Sequence, residues 1–291
     1  MKNLLQLGFA VLLSFTSIAI PAQNKNKATY QSLLWEVSGN GLSKPSYITG
    51  TFHILCSKDF EIKPKVLKAL EQSENFVMEI NYTDPSEIAA LQKMYQTDKR
   101  ISARLSPDEA KELDQILADY GTNLKNADQL STQGLYALLA LKAVPCPQAE
   151  MKMYEMELLQ KAVAEKKKIR GLEKVGDQMT AINKAYDLKT IITQLKSGKD
   201  YEILFRKMIK AFKNEDTQSL YTLFKNEKFM NAQQEKAMLT DRNINWVKAM
   251  PEIMKKESSF FAVGGSHLMG DNGIIPLLQS KGYTVKPISG L

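Results

Sequence analysis

Two histidines in 291 residues is a sparing use of imidazole, and both stand three residues after a glycine. One ends Gly50-Thr51-Phe52-His53; the other ends Gly264-Gly265-Ser266-His267. Each follows an apolar run of strand-like composition, "SYIT" and "SSFFAV", and a third such run, "NFVMEINY", carries Glu79. Imidazole nitrogen and carboxylate oxygen are good ligands for a divalent transition ion. Two histidines and a carboxylate leave a position open for water, as in hydrolytic zinc, iron or manganese sites. A metal so held brings its water's pKa to about 7, making hydroxide available near neutral pH. Glu173, in "RGLEKV", and Arg242, in "TDRNINW", suit the supporting tasks of moving a proton and holding a developing oxyanion. Plainer roles stay open for both: Glu173 suits the start of the following helix, and Arg242 suits a surface helix position beside Asp241. Other catalytic templates are poorly served, because the chain has no zinc-protease helix signature, phosphate-binding glycine loop or serine elbow.

The elements that must position these residues lie mostly at the two ends of the chain. "LLWEVSG" (33–39) and "SYITGTFHI" (46–54) bracket the turn-rich "NGLSKP", which predicts a hairpin. A helix opening on Pro64 and a strand over 75–82 follow. The centre then turns helical. "DPSEIAALQKMYQ" and "SPDEAKELDQILADYG" both begin with a capping-box pattern, Asp84 with Glu87 and Ser106 with Glu109. Helical periodicity continues through "EMKMYEMELLQKAVAEKKK", where Met151, Met153 and Met156 read as core packing. It is interrupted by "KIRGLE" (168–173) and resumes to about residue 257. The C-terminus returns to a strand (258–265), a helix and a strand (283–288), a spacing that predicts a βαβ unit with parallel pairing. The expected fold class is therefore mixed α/β, with a sheet built from N- and C-terminal strands and a large helical insertion over about 84–257. In such a sheet ligands collect beyond the carboxyl ends of the strands, where His53, Glu79 and His267 fall.

Met1 to Ala22 has one cation, an apolar stretch and a small residue at the boundary, the pattern of a signal peptide over 1–22. No later stretch approaches the ~20 apolar residues of a spanning helix. The expectation is an exported chain, periplasmic or secreted, with no stable membrane span after cleavage. In an oxidising compartment Cys56 and Cys146 suit a disulfide, two buried free thiols being the alternative. The net charge of +7 is carried mainly by lysines scattered over helix surfaces, with five arginines. Nucleic-acid binders concentrate basic residues with arginine and aromatics on one face, so no nucleic-acid partner is expected.

Five blocks in order, "LLWEVSG…KPSYITGTFHI", "FVMEINY", "YEMELLQKA…RGLEKVGDQ", "DRNINW" and "FFAVGGSHLMG…GIIPLLQSKGYTV", resemble the TraB/GumN family, which includes the Tiki-type proteases. The resemblance covers the chain after the leader and implies a single domain over 23–291. It also implies two GxxH motifs in the site and a metal-dependent hydrolase or peptidase activity on a peptide or small amide or ester substrate, with Mn, Co or Zn as the ion. It carries the motif histidines onto His53 and His267, the acidic residues onto Glu79 and Glu173, and the arginine onto Arg242, with Asn243 beside it. Related folds also bind haem. The alternative expectation is thus a non-catalytic envelope protein that holds haem, metal or a peptide signal.

Overall fold

A hairpin opens the structure, a computed structural model that describes residues 32–290; the leader expected over 1–22 lies outside these residues. β1 (Leu34–Ser38) and β2 (Ser46–Thr51) pair antiparallel. Their turn places Gly39, Asn40 and Gly41 in succession at positive φ, a conformation those residue types adopt at least cost. With β4 (Asn75–Met78), β6 (Lys168–Gly171), β7 (Ser259–Gly264) and β8 (Thr284–Pro287), the hairpin builds a six-stranded sheet in the order β6-β4-β7-β2-β1-β8. β6, β4, β7 and β2 run parallel, and β1 is antiparallel to both its neighbours. Strands β2, β4 and β7 are buried throughout, which is why they read as continuous apolar runs rather than alternating ones. The mixed α/β class is as expected.

Register brings the site together. Met78 faces Ala262 across β4 and β7, and Thr51 faces Gly264 across β2 and β7. The residues just past these positions, Glu79, His267 and His53, leave the sheet at one edge, beyond the carboxyl ends of three adjacent parallel strands.

Several expectations are corrected. β8 pairs with β1 and not with β7, because β4 and β2 already occupy both edges of β7. The third strand ends at Met78; the carbonyl of Glu79 turns to accept from the backbone N–H of Leu172 and Glu173 instead of continuing the ladder. Met151–Met153 is a short strand, β5, paired with β3 (Ile54–Cys56), and Met153 is 48% exposed, so neither Met151 nor Met153 is helical core. The capping box at Ser106 and Glu109 forms. At Asp84 only the forward bond to Ser86 N forms, since Glu87 turns away to accept from Val175 N at 2.8 Å. Such caps each contribute about 1 kcal/mol.

Trp35, Phe76, Phe260, Phe261 and Trp246 are fully buried around the sheet, while the helical insertion packs a separate cluster on Leu113, Leu117, Leu135, Leu139 and Ile191. Cys56 and Cys146 are disulfide-bonded, 90 residues apart. Closing a loop of that length stabilises by about 4 kcal/mol in the chain-entropy account. The bond sits at the end of the β3–β5 ribbon, three residues after His53.

Candidate active site

The two motif glycines serve different ends, and neither lies at positive φ. A methyl group at Gly50 would stand 2.8 Å from both Leu268 and Leu33 side chains and 3.0 Å from Gly265 Cα, so Gly50 lets β2 lie against the turn that carries His267. A methyl group at Gly264 would instead stand 3.4 Å from Glu79 Oε1, 3.5 Å from His267 Cδ2 and 3.6 Å from His53 Nε2. Room for one methyl-sized group thus adjoins both imidazoles and the carboxylate, and the two rings approach within about 7 Å of each other.

Each ring is held by the nitrogen that faces away from that space. His53 follows Phe52, whose ring packs on Phe205 and Phe212. His53 Nδ1 lies 2.6 Å from Glu155 Oε1, which also accepts from Thr51 Oγ1 at 2.5 Å. Glu155 opens the helix Tyr154–Ala164, where the N-terminal dipole favours a carboxylate. His267 sits in a single tight turn, Gly265–His267, and is 4% exposed. Its Nδ1 is 2.6 Å from Asn243 Oδ1; the Asn243 amide hydrogens go to the carbonyls of His267 and Asn272, so Oδ1 is the acceptor and Nδ1 carries the proton. His267 Nε2 then has a lone pair to offer.

Arg242 ties the remaining groups together. It enters the helix Asp241–Lys256 from a π-helical turn, Lys236–Thr240, a local widening often found at functional sites. Nη2 donates to Glu79 Oε2 at 2.6 Å and to Glu173 Oε1 at 2.7 Å, and Nε donates to the Glu173 carboxylate at 3.2 Å. Nη1 donates to Met238 O at 3.1 Å and to His267 Nε2 at 3.2 Å. All five guanidinium hydrogens are engaged, four of them on Glu79, Glu173 and Met238 and one on a neutral nitrogen. Trp246 lies under the guanidinium at 4.7 Å, meets the His267 ring at 4.5 Å with a 37° tilt and donates Nε1–H to Glu173 Oε2 at 3.0 Å. Glu79 is completed by Gly264 N–H on Oε1 at 2.8 Å and by Gln178 on Oε2 at 3.2 Å.

These surroundings push the two histidines in opposite directions. Glu155 raises the His53 pKa to about 9, with Glu79 adding to the effect. Protein crowds that ring, yet 63% of its side-chain surface is open to water, so solvent screens part of the Glu155 attraction and the direction is the firm result. Burial, then the Arg242 charge, lowers the His267 pKa to about 3 and keeps it neutral. Burial on its own would raise the Glu79 pKa; Arg242, both histidines and the Gly264 N–H outweigh it and bring it down to about 2. Burial raises the Glu173 pKa despite its bonds to Arg242. The result is a charged, water-facing imidazole and a neutral, buried one beside an ionised carboxylate.

These groups are of the donor types a divalent ion takes, and at His53 the ion would displace the Nε2 proton. Both Nδ1 atoms are fixed by buried acceptors, the arrangement that orients metal-binding histidines and leaves Nε2 for the ion. Glu79 Oε1 lies 4.0 Å from His267 Nε2. Among the described residues no group of three or more His, Cys, Asp or Glu side chains stands ready-made as a cage, and the Arg242 Nη1–H occupies the His267 lone pair.

The sequence profile of the TraB/PrgY/gumN family matches residues 33–287. The chain belongs to the TraB/PrgY/gumN family. Among curated relatives of this family member is the metalloprotease TIKI1 of Xenopus tropicalis, 23% identical over 345 residues. That match takes in 97% of this chain but 66% of TIKI1, so the chain spans just under two thirds of that relative's length. No solved structure matches the chain significantly.

All five residues singled out in the sequence, His53, Glu79, Glu173, Arg242 and His267, meet in this one cluster. Glu155 was missed, although a signal for it existed. It falls on the same helical stripe as Leu158, Leu159 and Ala162, and all four are buried. A glutamate on an apolar stripe needs a partner. Thr51, Gln178 and Trp246 gave no comparable signal.

Proposed function

We propose that this family member is an exported, metal-dependent hydrolase that cleaves peptide or amide bonds, with a divalent ion held by His53 and His267. The observation that carries this reading is the placement of both Nε2-bearing rings and Glu79 around the open space at Gly264. Kinship with a relative named a metalloprotease supports the same class. The Cys56–Cys146 bond suits an oxidising compartment, and among the described residues no helix is long and apolar enough to cross a membrane.

In this reading His53 and His267 would hold the ion, with Glu79 as a third ligand or as the base beside it. When bound, the ion supplies a nucleophilic hydroxide near neutral pH and polarises the scissile carbonyl. Glu155 holds His53 by Nδ1 whether or not Nε2 carries a proton. Arg242 keeps Glu79 ionised, and Glu173 with Trp246 keeps Arg242 in place. The Nη1–H now given to His267 is the guanidinium donor without an anionic or carbonyl partner, so it is the one free to turn to a substrate oxyanion.

The test is hydrolysis of a mixed peptide library by the mature protein supplied with Mn, Co or Zn, beside His53→Ala and His267→Ala. Metal-dependent cleavage that both variants lose is expected. A haem absorption band in purified protein, with no cleavage under any ion, overturns the reading in favour of a binding protein.

A further inference from the structure

The helix Gly198–Lys213 has two working faces. Phe205 and Phe212 pack on Phe52, next to His53. Arg206, Lys210 and Lys213 instead line a surface cleft of about 400 Å³ with Lys58, over a floor of Ile209 and Pro145. Asp59 is the one carboxylate among the residues lining this cleft, and Lys213 already binds it at 2.8 Å. Lys58, Arg206 and Lys210 are matched to no carboxylate among the described residues. Three uncompensated cations around one hollow raise a local positive potential that favours an anion.

A second hollow, about 570 Å³, shares Arg206 and Pro145 with the first. Its walls mix apolar side chains, Leu138, Leu141, Val144 and Met151, with the polar Gln148, Lys142 and Glu202. Both volumes are of ligand-site size. Together they form a groove whose first half sets four cations beside Ile209 and Pro145 and whose second half adds apolar side chains among polar ones. The groove also lies near the candidate active site along the β3–β5 ribbon. Met151, on its wall, pairs with Cys56, and Met153 pairs with Ile54. The next backbone bond runs from Tyr154 N to His53 O. Three residues of ribbon, roughly 10 Å, separate the groove from His53.

We propose that this groove is an exosite that grips an acidic segment with apolar neighbours in the polypeptide substrate, a few residues from the bond presented at His53. The link to cleavage rests on the hydrolase reading above; the binding itself does not. A hollow with cations on its walls suits an extended chain laid into it, whereas a bilayer surface is met by a flat or convex face.

The test is fluorescence anisotropy with a short fluorescein-labelled peptide of Glu, Leu and Gly, and its Lys counterpart, on the whole mature protein. The acidic peptide is expected to bind, more weakly at physiological than at low salt, and about tenfold or more weaker to an Arg206→Glu/Lys210→Glu variant. Lys58→Glu, on a different element, should weaken it in the same direction. Both charge-reversed proteins should still hydrolyse a short uncharged peptide as the parent does, which shows that they fold. His53→Ala should bind the acidic peptide unchanged, so loss of cleavage there cannot be confused with loss of the exosite. Equal binding of the Lys peptide, or no loss on charge reversal, overturns the proposal. Displacement of the peptide by inorganic phosphate, or by phosphatidylglycerol vesicles, overturns it in favour of a simple anion site or a membrane surface.

Discussion

Two buried charge clusters lie on the sheet of this protein, and they are built to opposite plans. In one, Lys65 Nζ gives its three hydrogens to Glu215 Oε2 at 2.7 Å, Ile288 O at 2.9 Å and Ser32 Oγ at 3.3 Å. Glu215 also accepts from Leu33 N, and the knot thereby ties both ends of the described chain to the middle. Every Lys65 donor is used within the protein, so its work is structural. In the other, Arg242 is likewise saturated, but Glu79 Oε1 and His53 Nε2 face the space at Gly264. Burying charge is costly in both places. Closure marks the structural cluster, and unclosed groups around a gap mark the functional one.

The largest effects should separate the two. If His53 holds the ion as proposed, His53→Ala is expected to lower peptide hydrolysis by about a thousandfold or more, while the thermal midpoint moves by only a few degrees. Lys65→Ala should do the reverse. It leaves Glu215 buried with a poorer partner, costing about 3–5 kcal/mol in urea unfolding, with turnover per folded molecule unchanged. If Lys65→Ala lost activity without losing stability, the distinction between the clusters would fail.

Acid sharpens the comparison next. Glu79 is ionised in the folded protein down to about pH 2, against an ordinary value of 4.5. A carboxylate with a lowered folded pKa contributes stability that is fully present above its unfolded value and lost as pH falls through the folded one. Stability to urea in the presence of chelator should therefore fall between about pH 4.5 and 2, by up to about 3 kcal/mol from this group. Glu79→Gln should flatten that limb.

A smaller effect tests the missed residue. Glu155→Gln keeps the shape beside His53 but removes the charge that holds Nδ1. Metal affinity and turnover should each fall by about 10–100-fold, the usual result of losing such a partner. A variant indistinguishable from the parent in calorimetry with Mn would remove Glu155 from the site.

The sequence made the strand-borne part of this picture readable. "SYIT", "NFVM" and "SFFAV" are strands buried on both faces, and runs of that kind in a mixed chain imply parallel neighbours with a ligand edge. Glu79, His53 and His267 follow from that edge. Pairing partners were less legible, because nothing local tells "YTVK" that both edges of β7 are already filled. β5 was hidden because "MKM" joins a true helix without a break, and its strand state depends on β3 and the disulfide. Glu155 and Asn243 act through rings that lie far away in sequence, and only the folded chain shows which nitrogen each one holds.

The central claim is tested most directly at Gly264. A methyl group there makes only ordinary contacts, 3.4–3.6 Å, so Gly264→Ala should fold like the parent while filling the space that Glu79, His267 and His53 share. Titration calorimetry with Mn, Co and Zn on the metal-stripped protein should show one site in the parent, and binding weakened beyond detection in both Gly264→Ala and the His53→Ala/His267→Ala pair. Parent-like binding in all three proteins would contradict the account.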